Sequence, residues 1–108
     1  MMGRTSDAAA SSGVALTTDL SVEEAVPYFL WDEPMTVREL RSRLRRSDED
    51  RVRLLGKILR EARESDIWLF TTAEEVNSRW GQLERHLGRR RDFWHFLLGR
   101  WREQGLLR

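Results

Sequence analysis

The chain has 108 residues, 40% of them hydrophobic and 34% charged, and no cysteine. That balance suits a soluble domain of amphipathic helices and excludes a disulfide framework, a thiolate metal centre and a cysteine nucleophile. No run reaches the ~20 apolar residues of a membrane span and the N-terminus lacks the apolar core of a secretory signal, so the expected compartment is the cytoplasm.

The net charge of +1 hides a split. Residues 1–35 hold one Arg against six acids, net −5, whereas residues 36–108 hold eighteen basic groups against twelve acids, net +6. Either the acidic front acts as an internal counter-charge or the basic part faces an anionic partner.

Residues 1–20 are dominated by Ala, Ser, Thr and Gly without a sustained period. They bury too little to offset ordering entropy, which predicts a disordered tail over 1–20 and a folded domain over 22–108. Ser21-Val22-Glu23-Glu24 has the capping-box pattern and predicts a short helix that Pro27 limits. Tyr28 to Trp31 is an apolar cluster closed by Asp32-Glu33-Pro34, expected to lie as a lid on the helices that follow.

Thr36 to Glu39 is a second capping box, and Val37, Leu40 and Leu44 extend it into an amphipathic helix to about Arg46. Ser47-Asp48-Glu49-Asp50 reads as a cap followed by acids that suit the helix dipole. The helix it starts has a buried stripe of Val52, Leu54, Leu55, Ile58, Leu59 and Ala62, with Arg51, Arg53, Lys57, Arg60, Glu61 and Glu64 toward solvent. Ile67 to Phe70 is expected as a turn in the core. Thr72 to Glu75, a third capping box, starts a helix bearing Val76 and Trp80 that ends near Gly81. A segment with Leu83 and Leu87 stops at Gly88, and a last helix runs from about Arg90 to Gly105 with Phe93, Trp94, Phe96, Leu97, Leu98 and Trp101. Apolar on more than half its circumference, that helix is central to the core or covered by another chain.

The predicted fold is therefore all-α: a single compact bundle of four to five short helices around Leu40, Leu44, Leu55, Leu59, Trp68, Trp80, Phe93, Trp94 and Leu97. No catalytic chemistry emerges. His86 and His95 are the only histidines and lack metal-ligand spacing, phosphate-loop, dinucleotide and nucleophile-elbow motifs are missing, and Glu61 and Glu64 sit among arginines as a solvated ion-paired face. No metal, cofactor or small-molecule substrate is expected, and the chain is not read as an enzyme.

Two clusters invite a binding role. Arg89, Arg90 and Arg91 stand where a helix begins and its dipole is already positive, so nucleic-acid phosphate, an acidic protein surface, or the chain's own Asp32-Glu33 or Asp92 should answer them. Thr36 to Ala62 could form a helix-turn-helix that puts Arg38, Arg41 and Arg45 on nucleic acid, although the acids at 48–50 would repel phosphate. The five tryptophans read first as core; Trp94 and Trp101 are the ones assigned to partner contact.

Tyr28-Phe29-Leu30-Trp31-Asp32, Leu55 to Arg63, Asp66-Ile67-Trp68 and Arg91-Asp92-Phe93-Trp94 occur in an order that resembles small bacterial helical proteins with an F-x-W-D-like start, a "dIW" turn and a closing "FW" helix. Some proteins of that family are encoded beside nucleotidyltransferase toxins of abortive-infection systems. The resemblance implies an antitoxin-like or toxin-associated role. The expected function is a protein-interaction or regulatory module binding a toxin or a second copy of itself; the alternative is a DNA-binding regulator.

Overall fold

The computed structural model describes residues 15–108. They are mostly helical, with one pair of two-residue strands, so the all-α reading holds approximately. Among them no helix is long and apolar enough to cross a membrane. The chain divides into two compact units, one ending at Ser42 and the other Arg43–Arg108. Residues 1–14 of the expected tail lie outside the described residues, while 15–20 contain a strand and the buried Leu20.

In the first unit, β1 (Leu16–Thr17) pairs in parallel with β2 (Val26–Pro27), Leu16 opposite Val26. The helix expected from Ser21 does not form, and turns connect the strands instead. Its cap is diverted. The Ser21 hydroxyl and N–H both donate to the Asp19 carboxylate at 2.6 and 3.1 Å, so the hydroxyl is held on the preceding turn. Glu23 and Glu24, which would close the box, reach the Arg38 guanidinium at 2.9 and 2.7 Å. Pro27 leads into a 3₁₀ turn, Tyr28–Leu30, that buries Phe29 and Leu30 and leaves Trp31 62% exposed. The second box works as predicted: Thr36 accepts the Glu39 N–H at 3.1 Å, opening α1 (Val37–Leu44), which buries Val37, Leu40 and Leu44.

The second unit is organised around α2 (Asp48–Glu61). Ser47 caps it, accepting the Asp50 N–H, and the predicted stripe from Val52 to Ala62 is buried throughout. Burial goes further than the stripe. Gly56 and Lys57 are also covered, against the expectation that Lys57 faces solvent, because the helix is enclosed on a second side and a lysine stem can lie along apolar surface. A Cβ on Gly56 would stand 2.4 Å from the His86 Cβ, so only glycine allows that approach. Arg60 donates to the His86 carbonyl at 3.0 Å. Arg51, also expected outside, instead grips Glu75 through two nitrogens, with Thr71 and Arg79 completing the cluster.

After α2 the chain forms α3 (Glu64–Ile67), in which Ile67 is buried, and then a turn that buries Phe70 but exposes Trp68 and Leu69. Thr72 caps α4 (Ala73–Ser78) through the Glu75 N–H, and α5 (Trp80–Leu83) follows at once. Two 3₁₀ turns, Glu84–His86 and Gly88–Arg90, lead into α6 (Arg91–Glu103), with Gly88 at φ +51° at the junction. Leu83 and Leu87 are fully buried. Trp94 is the aromatic centre of this unit: it is 0% exposed and its indole N–H donates to the Leu59 carbonyl at 3.1 Å.

The end of α6 is a Schellman closure. The Leu106 N–H reaches back to the Trp101 carbonyl at 2.9 Å, the Gly105 N–H to Arg102 at 3.1 Å, and Gly105 takes φ +78°.

Candidate interaction surface

The sequence leaves open whether α6 is central or covered by another chain, and the helix divides between the two. Trp94 and Leu98 are its buried residues, whereas Phe93 is 38% and Phe96 60% exposed. Phe93 and Leu97 were both expected in the core; Leu97 is half-buried. Three residues apart on one helix, the two phenylalanines share a face. Each carries a guanidinium: Arg90 lies 5.1 Å from the Phe93 ring centroid and Arg100 5.9 Å from that of Phe96. An arginine over a ring keeps its charge while orienting its fork.

The Arg89–Arg91 cluster resolves into three different environments. Arg91 is answered within the chain, by Glu84 at 2.8 Å and Asp92 at 3.1 Å, and these contacts hold its pKa above the ordinary arginine value. Arg90 is half-buried over Phe93. Arg89 is exposed, and among the described residues neither Arg89, Arg90 nor Arg100 forms an ion pair. The 3₁₀ turn Gly88–Arg90 precedes α6, and no side chain caps the helix.

Of the two tryptophans assigned to partner contact, Trp94 belongs to the core, because a side chain without solvent exposure offers nothing to touch. Trp101 is half-buried and stands 6.2 Å from Trp68, centroid to centroid, at 54°. Trp68 also meets the Trp94 ring edge-on at 5.9 Å and stays 39% exposed, so it is a boundary residue, not the core residue expected. Trp80, likewise expected inside, is half-buried and faces the exposed His95 ring at 5.9 Å.

The arginines assigned to nucleic acid are less available than their number suggests. Arg38 is held by Glu23 and Glu24, which raise its pKa, and Arg41 is half-buried with interactions of its own. Arg45 is exposed. A concave patch lined by Asp48, Glu49, Arg53, Arg85 and His86 mixes charges of both signs and presents no uniform field to an anion. Burial first, then Arg85, Arg60 and Arg53, push the His86 pKa down. Among the described residues no group of three or more His, Asp or Glu side chains could hold a metal ion.

Leu106 and Trp68 were not singled out as surface residues from the sequence. Gly105 carried the signal for the first, since a Schellman closure brings the residue after the glycine against the helix three residues before its end, here Leu106 against Trp101. Compared with protein-family models, curated proteins and solved structures, the chain matches none of them.

Proposed function

We propose that this chain is a protein-binding module that offers the Phe93–Phe96 face of α6, framed by Arg89, Arg90 and Arg100, to an apolar segment of another protein flanked by acids. The carrying observation is that two phenylalanines point outward on the same helix with a guanidinium stacked over each. Aromatic residues and arginine are the types enriched at contact hot spots, and cations without an internal carboxylate favour an acidic partner. The resemblance to helical proteins encoded beside nucleotidyltransferase toxins makes such a toxin the first partner to test, in an antitoxin-like role in the cytoplasm.

The test is co-expression with the product of the neighbouring gene and purification through a tag on that product. Wild-type chain is expected to co-purify in stoichiometric amount, and the double variant Phe93→Ser, Phe96→Ser is expected to be lost from the complex while remaining folded by circular dichroism. Retention of the double variant would overturn the assignment of this face. A wild-type chain that stays a monomer and binds nothing would overturn the module reading itself.

A further inference from the structure

The second unit carries sixteen basic side chains against eleven acids, yet the apolar groove beside α6 has an opposite character. This groove, about 570 Å³, is walled by Trp68, Trp101 and Leu106 and edged by Thr71, Thr72 and Glu74. Glu74 is its one charged lining residue, is exposed, and forms no ion pair among the described residues. Thr71 donates its hydroxyl to the Glu75 carboxylate and Thr72 accepts the Glu75 N–H, so both hydroxyls are held on the α4 start. Charge in the groove lining comes from Glu74.

The two indoles meet at 54° with centroids 6.2 Å apart, forming two walls of a corner. Aromatic walls with a carboxylate at the rim match an alkylated or delocalised cation: the ring faces are negative and the carboxylate supplies the counter-charge. A purely apolar side chain would use the walls but leave Glu74 idle, and an anion would be repelled by it.

We infer that this groove binds the cationic side chain, arginine or methylated lysine, of a partner protein. The inference goes beyond the α6 interaction reading and uses none of Phe93, Phe96, Arg90 or Arg100, so either can fail alone.

The full-length chain is titrated with the Nα-acetyl amides of trimethyllysine and arginine, with the uncharged carbon isostere of trimethyllysine, and with choline, following the tryptophan indole N–H resonances by NMR. Saturable shifts of Trp68 and Trp101, with Trp31 unmoved, are expected for both cationic amides, and roughly fivefold to tenfold weaker binding for the isostere. Glu74→Gln, an exposed change, should weaken the cations severalfold and leave the isostere as it was. Equal binding of isostere and cation would make the groove a plain apolar pocket and overturn the inference. So would choline binding more tightly than either amide, which would assign the site to a free small cation, and so would no shift up to the solubility limit.

Discussion

The two long helices of the second unit make an instructive pair. α2 and α6 are nearly equal in length, 14 and 13 residues, but α2 buries seven of them and α6 two. α2 has the poorer sequence for burial, with arginines, a lysine and a glycine among its leucines, yet even Gly56 and Lys57 are enclosed. α6 is richer in large apolar side chains and leaves Phe93 and Phe96 in solvent. Apolar content sets what a helix can bury; neighbours decide what it does bury. The excess on α6 is apolar surface that the chain by itself leaves in water.

This contrast can be broken most forcefully at Trp94, the buried α6 side chain whose indole is bonded to α2. Trp94→Ala should cost about 3–5 kcal/mol, because it opens a cavity and orphans the Leu59 carbonyl, and should lower the urea midpoint strongly. A loss below about 1 kcal/mol would show that α6 does not depend on its tryptophan.

The next effect concerns the clamp on α2. Glu75 is pushed down to about 2 from an ordinary 4.5, chiefly by the Arg51 hydrogen bond, then by Thr71, the Arg51 charge and Arg79, against the opposing effect of burial. A carboxylate with a depressed folded pKa stabilises fully above its unfolded value, and that stabilisation drains as pH falls from about 4.5 toward 2. Denaturation across this window should lose about 2 kcal/mol in wild type and distinctly less in Glu75→Gln, which starts less stable at pH 7. Parallel pH profiles would remove Glu75 from the acid response.

Enclosure of α2 is sharpened by Gly56→Ala. With His86 Cβ 2.4 Å from the new methyl, the Glu84–His86 turn must move, at about 1–3 kcal/mol. At the other extreme Phe96→Ser should change stability by no more than about 0.5 kcal/mol by thermal melting. A large loss there would mean that the exposed face of α6 is structural.

Much of the backbone plan was legible because it is local. Ser47, Thr36 and Thr72 accept the N–H groups their spacing requires, and Gly88 and Gly105 sit at the positive-φ positions that end segments. Ser21 has the same local pattern, but Asp19 captures its hydroxyl and Arg38, fourteen or more residues on, takes the acids. Local chemistry thus loses where a more distant charge competes. The tryptophans were illegible for a related reason: Trp68 and Trp94 each follow an acid and an apolar residue, and what separates the buried indole from the part-exposed one is tertiary, the Trp94 N–H reaching the Leu59 carbonyl of α2. In the arginine cluster the internal answer from Asp92 was readable, whereas that from Glu84 depended on the turn at Gly88.

The closure at Gly105 has a dynamic consequence. Leu106 lines the groove and its N–H is held on the Trp101 carbonyl, so fraying of the last turn loosens one wall of the groove. Any occupant lodged between Trp101 and Leu106 therefore slows amide exchange at positions 104–106 by mass action. Gly105→Ala, which disfavours the left-handed closure by about 1 kcal/mol, taxes affinity by depopulating the closed end without touching a single contact. On the inferred reading of the groove, helix termination and affinity therefore share the Gly105 torsion.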